Sequence, residues 1–205
     1  MNTRSRARRA SLFLEDLESR LAPANVFVVP VGQPADAGHF HTLRDAVAAA
    51  GTSGDVTVEP GASPDPQFST VVLTQPFLTV HGDRNVPASI LPRYQIELDN
   101  MHIQLENLNL GFLTLSGSHG LSEFNTITKC LIQDVNGSDM GSTFSQNLIT
   151  GSVSVHGHAR AVDIGPVFFL SNVFTSTAIP ALWLIRRPAR KSATTLSIRR
   201  AALLP

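Results

Sequence analysis

Three aspartates and two bases are the candidates for acid–base chemistry in this sequence. They are Asp134, Asp139 and Asp163, with Lys129 and Arg160 as the accompanying bases. Two carboxylates at a matched separation cleave glycosidic bonds by acid–base chemistry, so Asp134, Asp163 and Arg160 are the candidate catalytic residues. The acids occur singly, however, and Asp134 and Asp139 flank Asn136-Gly137, a pair typical of turns. Solvated turn acids are therefore the alternative interpretation.

The histidines raise the question of a metal site. His156 and His158 form a His-x-His pair that, together with Asp139, is the candidate metal site, and His39 and His41 form a second such pair. A closed zinc site needs about four ligands, and the sequence does not identify the remaining ones. Ca²⁺, which takes about six to eight oxygen ligands, is the alternative cofactor, although the acids are scattered singly. We otherwise expect no cofactor.

Short strand-like runs recur in the second half of the chain, bounded by Gly, Ser, Asp and Asn. They occupy residues 107–110, 130–133, 147–150 and 172–175, and their first positions are 23, 17 and 25 residues apart. A recurrence of this length is the signature of stacked repeats, none of which can bury its apolar face alone. The pattern predicts an all-β parallel solenoid with one turn of the coil per repeat.

Aligning these runs predicts which side chains stack from coil to coil. Asn107, Asn147 and Asn172 fall at equivalent positions, where stacked amides can hydrogen-bond along the solenoid. Cys130, the only cysteine, falls at the same position and is expected to be a small buried side chain. Strict alternation from residue 101 slips in phase at Asn107, which indicates a corner or a bulge. The phenylalanines expected to stack in the core are Phe112, Phe124, Phe144, Phe168, Phe169 and Phe174.

One short amphipathic helix is predicted over residues 42–50. Thr42 and Asp45 approximate a capping box, and Gly51 supplies the stop. The apolar side chains fall on one face, as expected for a helix that covers a core.

The sequence T-L-R-D-A-V-A-A-A, followed by G-D-V-T-V-E-P-G, resembles the start of right-handed parallel β-helix proteins of the pectin-lyase-like superfold. Residues 71–73 and 77–82 are similar to the early coils of that superfold, and the resemblance extends over about 40–178. It implies a right-handed parallel β-helix of about five or six coils with an N-terminal capping helix. It also implies carbohydrate chemistry by acids on one flank. His156-Gly157-His158 is similar to the Gly-His-Gly of β-helical polygalacturonases, but in inverted order and without the acidic partners of that motif.

The first 24 residues resemble the N-terminal segment of many planctomycete surface and extracellular proteins. The matching pattern is Arg-Arg followed by Leu-x-Leu-Glu-x-Leu-Glu-x-Arg-Leu-x-Pro-Ala, although the apolar stretch of an ordinary export signal is absent. This resemblance implies an exported protein, extracellular or at the cell surface. We accordingly divide the chain into an export segment (1–24), a β-helix domain (25–180) and a basic tail (181–205).

Charge is strongly segregated although the net charge is zero. Residues 21–180 carry five bases and thirteen acids, whereas residues 181–205 carry six bases and no acid. An acidic body argues against nucleic acid as a partner, and no apolar run approaches the roughly 20 residues that span a membrane. The tail has three interpretations: a cap over the open end of the solenoid, a disordered basic tail, or out-of-frame sequence.

These observations predict a structural or adhesive protein that binds polysaccharide along one flank. The alternative is a polysaccharide lyase or glycoside hydrolase of the same superfold, truncated or degenerate here. A non-functional gene remnant is a third interpretation. Because no paired acids are evident, binding is favoured over catalysis, and the oligomeric state is not predicted.

Overall fold

Two sheets make up almost all of the computed structural model, which describes residues 25–64, 69–115, 124–139, 141–157 and 167–175. Sheet A contains β1 (Asn25–Val28), β2 (His39–Phe40), β3 (Asp55–Val58), β5 (Thr79–Gly82), β7 (Gln104–Glu106), β9 (Thr126–Thr128), β11 (Thr143–Ser145) and β14 (Phe168–Leu170). Sheet B contains β4 (Thr70–Leu73), β6 (Arg93–Leu98), β8 (Asn109–Leu115), β10 (Leu131–Asp139), β12 (Leu148–Ile149), β13 (Val153–Gly157) and β15 (Val173–Phe174). The helices are α1 (Leu43–Ala50) and a 3₁₀ turn (Ala88–Ile90).

All strand pairs within the described residues are parallel. The order in sheet A is β14-β11-β9-β7-β5-β3-β1-β2, and in sheet B it is β15-β12-β10-β8-β6-β4, with β13 also on β10. From β3 onward the chain passes back and forth between the two sheets, so that each return places a new strand beside the previous one. The predicted parallel all-β architecture is confirmed, and it is compatible with a β-helix.

The predicted helix is present as α1. The hydroxyl of Thr42 accepts a hydrogen bond from the backbone N–H of Asp45 at 3.1 Å, and Gly51 ends the helix at φ 64°. The buried side chains are Leu43, Ala46, Val47 and Ala50. They contact β1 and β3, so the helix covers the sheet near the N-terminal end of the described stack.

Inward-facing residues of sheet A form one continuous apolar column. The strand register aligns Val26, Val56, Val80, Leu105, Ile127, Phe144 and Phe169. All but Phe169, which belongs to the last strand, are at most 3% exposed. Because the side chains of a strand alternate between faces, this column leaves the residues on either side of it facing outward.

Residues with left-handed backbone form the corners that directly follow the strands of sheet A. Asn107, Lys129, Gln146 and Ser171, at φ between 52° and 57°, each follow the last residue of a sheet A strand. The backbone N–H groups of the first three still bond to the next coil, for example from Asn107 to the Thr128 carbonyl at 3.0 Å. This confirms the corner predicted at Asn107.

The predicted alignment of the repeats was off by one residue at its first member. The register pairs Asn109 with Leu131, so Leu108, and not Asn107, is equivalent to Cys130 and Asn147. Asn107 instead donates to the carbonyls of Asp83 and Val86 at 2.8 Å. The alternating Asn and Leu of Asn107-Leu108-Asn109-Leu110 do not fix the register from sequence, and the structure places Leu108 at the ladder position.

The predicted amide ladder exists, and Cys130 occupies one of its positions. The Asn172 side chain accepts from the Asn147 backbone N–H at 2.9 Å, and the Asn147 side chain accepts from the Cys130 N–H at 2.8 Å. The Cys130 sulfur then lies 3.5 Å from the Leu108 nitrogen. Full burial raises the pKa of the Cys130 thiol to about 12, so it is an inert structural thiol, as expected.

The prediction for the phenylalanines was only partly right. Phe144 is fully buried, and Phe169 stacks on it with ring centroids 4.7 Å apart. Phe124 is 53% exposed, however, and Phe112, Phe168 and Phe174 are also exposed. Phe124 lies at a corner outside the core column, whereas Phe168 and Phe174 lie on the last strands of the stack. The segments 1–24 and 181–205 lie outside the described residues.

Candidate functional site

The outward side of sheet A carries two columns of hydrogen-bonding side chains, which we call the polar face. The first column is Asp55, Thr79, Gln104, Thr126 and Thr143, and the second is Thr57, His81, Glu106, Thr128 and Ser145. These side chains are half-buried or exposed, whereas the residue between each pair is buried. Each of the five strands β3, β5, β7, β9 and β11 therefore presents one pair of polar groups to solvent.

The spacing of the polar face is set by the backbone. Neighbouring strands lie about 4.8 Å apart, so the five strands span roughly 19 Å along the stack. Hydrogen-bonding groups repeat at that interval, and the parallel register keeps them in line. Such a surface suits an extended ligand that itself repeats.

His81 is the centre of a hydrogen-bonded group on this face. Its Nδ1 lies 3.0 Å from the Gly82 carbonyl, and since a carbonyl can only accept, Nδ1 carries the proton. Its Nε2 lies 3.2 Å from the Thr57 hydroxyl and 3.1 Å from an Asp55 carboxylate oxygen. The contact with Asp55 becomes an ion pair when His81 is protonated. The hydrogen bonds with Gly82 and Thr57 hold the ring in one orientation.

Glu106, beside His81 in the second column, connects two bases. Lys129 lies 2.9 Å and Arg84 3.3 Å from its carboxylate oxygens. The hydrogen bond from Lys129 is the main reason that the pKa of Glu106 is lowered, while burial acts in the opposite direction. The charge of Glu106 is thus compensated by two bases, whereas Asp55, the other acid of the polar face, lies against His81.

An aromatic stack borders the first column of the polar face. Phe77 and His102 have ring centroids 5.0 Å apart with planes 6° from parallel, and His102 and Phe124 are 5.7 Å apart at 15°. All three residues have left-handed backbone, which produces a sharp corner two residues before each sheet strand. His102 lies between the two phenylalanines and covers one face of each, and Phe77 and Phe124 are 55% and 53% exposed.

Gly141 lies at the following corner and contacts the aromatic stack. Its φ is 73°, and a side-chain carbon at that position would collide with the Phe124 ring. Backbone therefore covers the outer face of Phe124, which fixes the ring in place.

Among the predicted site residues, Asp134 has structural partners. One of its carboxylate oxygens accepts hydrogen bonds from the backbone N–H and the hydroxyl of Ser152, both at 2.7 Å. It lies on β10 in sheet B and therefore outside the polar face. Lys129, considered as a base, forms its ion pair with Glu106 instead.

The remaining predicted residues are only partly described. The backbone of β10 and β13 places His156 opposite Ser138, so that His156 and Asp139 lie on adjacent strands one position apart. Asp163, Arg160 and His158 lie outside the described residues. The catalytic and metal candidates therefore stay predictions.

The other histidine pair does not form a common site in the described structure. His39 Nδ1 lies 2.7 Å from an Asp36 oxygen, and its ring stacks on Phe27 at 5.3 Å. Nδ1 of His41 is buried and has no hydrogen-bond partner. Across the part of the chain that the structure describes, no cluster of three or more His, Cys, Asp or Glu side chains could hold a metal ion.

Sequence reasoning missed the polar face and the aromatic stack. The usable signal was the alternation on each side of the buried column, which places Asp55 and Thr57 beside Val56, and Gln104 and Glu106 beside Leu105. Asn125 was also missed: it is buried, and its side chain accepts from the Ile103 N–H at 2.8 Å. Asn125 lies outside the recurring runs. It directly precedes β9, whereas the corner at Asn107 follows a strand of sheet A.

No family model matches this chain, and no match was found among curated proteins or solved structures. Within the described ranges, none of the helices has the length and apolar character needed to cross a membrane.

Proposed function

We propose that this protein binds an extended polysaccharide along the polar face of sheet A. The observation that carries the proposal is the repetition of one pair of hydrogen-bonding side chains on each of five successive strands. The interval of about 4.8 Å is close to the length of one sugar unit in an extended glycan. A repeating ligand can therefore meet equivalent groups coil after coil.

The chemistry of the face suits sugar hydroxyls. Threonine and serine hydroxyls donate and accept, and the Gln104 amide does both. The bordering rings of Phe77 and Phe124, both exposed, supply apolar contact. Binding sites commonly combine an apolar border with a few fixed polar groups in this way.

We further infer that the chain coils as a right-handed parallel β-helix of the pectin-lyase-like superfold. Support comes from the alternation of successive strands between two parallel sheets and from the strong right-handed preference of parallel crossovers. An exported protein, extracellular or at the cell surface, fits this proposal, because polysaccharides are abundant there. The support for export is the N-terminal resemblance alone.

Two threonine variants, one on the polar face and one on sheet B as its control, test the proposal. Thr126→Val removes a hydroxyl from the polar face, and Thr114→Val makes the same change on an equally half-buried outward position of sheet B. Valine has nearly the shape of threonine, so both variants should fold. In affinity gels cast with a panel of neutral and acidic glycans, at least one glycan should retard the wild type. Thr126→Val should weaken that binding about two- to tenfold, the value of one hydrogen bond, and Thr114→Val should leave it unchanged.

The same panel of glycans also tests for catalysis. A lyase or hydrolase would release unsaturated uronides or reducing ends, and would lose that activity in Asp134→Ala or Asp163→Ala. Retardation without product release supports binding alone. If no glycan retards the protein, or if both threonine variants weaken binding equally, the polar face is not the binding surface.

A further inference from the structure

The hydrogen bonds of His81 determine which groups of the polar face can donate to a ligand. Its Nδ1 donates to the Gly82 carbonyl, so the neutral ring carries no proton on Nε2. The Thr57 hydroxyl, 3.2 Å from Nε2, must then donate to that nitrogen. While His81 is neutral, Thr57 therefore offers a ligand only the lone pairs of its oxygen.

Protonation of His81 reverses this hydrogen bond. Nε2 then donates to the Thr57 oxygen, and the hydroxyl proton of Thr57 is free to turn towards a ligand. The added charge lies 3.1 Å from a carboxylate oxygen of Asp55. That oxygen is buried and has no hydrogen-bond partner among the described residues, so the protonated ring supplies the positive charge that it lacks.

We propose that protonation of His81 converts Thr57 from an acceptor into a donor, so that the polar face binds acidic glycans more tightly in mild acid. This inference rests on the proposed function. A glycan carboxylate can only accept hydrogen bonds, whereas a sugar hydroxyl both donates and accepts. Acidification therefore adds a partner for an acidic glycan and exchanges one equivalent partner for another in a neutral one.

The charged groups that face His81 come from the two neighbouring strands of sheet A. β3 contributes Asp55, and β7 contributes Glu106, which is bound by Lys129 and Arg84. The hydrogen bond from Lys129 holds the pKa of Glu106 below its usual value, so Glu106 stays ionised in mild acid. Histidine changes charge between about pH 5 and 8, an interval in which ordinary carboxyl groups are already ionised. A change in binding over this interval therefore reports on the ring of His81.

The first test measures the proton positions of His81 in the wild type, by ¹⁵N NMR of the histidine rings. His81→Gln identifies its signals by their loss. Free histidine favours the proton on Nε2, but at pH 8 His81 should carry its proton on Nδ1, with Nε2 bare. At pH 5 both nitrogens should be protonated. A proton on Nε2 at pH 8, or a ring that is still neutral at pH 5, would overturn the inference without any ligand.

The second test measures binding at pH 5 and pH 8 by affinity gels. The probe is the panel glycan that retards the wild type most, in a form with C6 carboxylates and a form with C6 hydroxyls, prepared by oxidation or carboxyl reduction of the same chain. The wild type should bind the carboxylate form about three- to tenfold more tightly at pH 5, the value of one partly exposed charge-assisted hydrogen bond. Its affinity for the hydroxyl form should change less than about twofold.

Three variants separate this mechanism from a general effect of pH. His81→Gln and Thr57→Val should both lose the acid response towards the carboxylate form, because each removes one partner of the reversible bond. His39→Gln is the matched control and should keep the full response, since His39 also lies beside an aspartate, 2.7 Å from Asp36, but outside the polar face. Thr57→Val is nearly isosteric, so it decides the question even if His81→Gln fails to fold.

The possible failures are distinguishable. Equal binding of the carboxylate form at both pH values, an equal acid response of the hydroxyl form, or a response that survives in folded His81→Gln or Thr57→Val would overturn this inference and leave the proposed function intact. If no glycan of the panel is bound at either pH, the proposed function fails, and this inference fails with it.

Discussion

The Asn147 side chain links three consecutive coils, and its removal tests the account of how the stack is held together. Its oxygen accepts from the Cys130 backbone N–H at 2.8 Å. Its amide nitrogen donates to the carbonyl of Ile127 and to the Asn172 side chain, both at 3.0 Å. The residue is 1% exposed, so water cannot replace these bonds.

Asn147→Ala should therefore be strongly destabilising. It leaves the Cys130 N–H and the Ile127 carbonyl without this partner, and each buried unsatisfied group costs about 1–3 kcal/mol. We expect the free energy of unfolding to fall by roughly 2–5 kcal/mol. This range includes the loss of the contact with Asn172, whose cost depends on how far the last described coil relaxes.

Urea denaturation followed by far-UV circular dichroism measures the effect. Asn136→Ala is the matched control, because Asn136 is an exposed asparagine on β10 of the same sheet. It should change the free energy of unfolding by less than about 0.5 kcal/mol, as surface substitutions usually do. A loss below 1 kcal/mol for Asn147→Ala, or equal losses for both variants, would refute the role assigned to the amide ladder.

Three further predictions follow from single residues. Gln146→Gly should stabilise the protein by up to about 1 kcal/mol in the same assay. Gln146 is exposed and has a left-handed backbone at φ 57°, and glycine removes the strain of that conformation. A loss of stability would contradict this reasoning. Cys130, with its pKa raised to about 12, should resist iodoacetamide in the folded protein at pH 8 and react in denaturant, as followed by mass spectrometry. Glu106→Gln should lower stability by less than about 1 kcal/mol at neutral pH, since the pair with Lys129 is partly exposed. The pKa of Glu106 is lowered on folding from its ordinary value of 4.5, so its contribution to stability is present above pH 4.5 and is lost as the pH falls further. The stabilities of wild type and variant should therefore converge in acid. A stability difference that persists in acid would contradict the ion pair.

The parts of the fold that were predictable from sequence are those fixed by local chemistry. Thr42, Asp45 and Gly51 determine the ends of α1 through capping, and the apolar spacing between them determines its buried face. The recurring runs predicted parallel stacking because alternation and turn residues repeat together. Cys130 was recognised as structural from its place in a run, and the structure buries it.

The parts that were not predictable depend on register between distant segments. One shifted residue decided whether Asn107 joined the amide ladder or formed a corner, and the structure places Leu108 at the ladder position instead. The left-handed corners are occupied by residues as different as Phe77, Lys129 and Ser171, which have no common sequence signature. Phe124 consequently looked like a core residue, although it lies on the surface beside the polar face.

The dependence of affinity on glycan length tests the central proposal most directly. Oligosaccharides of increasing length, prepared from the glycan that retards the protein most, would be titrated by isothermal calorimetry. A face of five strands predicts that affinity rises with each added sugar and levels off near five units, and that Thr126→Val weakens the binding of the longest oligosaccharides. Affinity that is already complete with a monosaccharide, or that does not respond to Thr126→Val at any length, would contradict binding along the polar face.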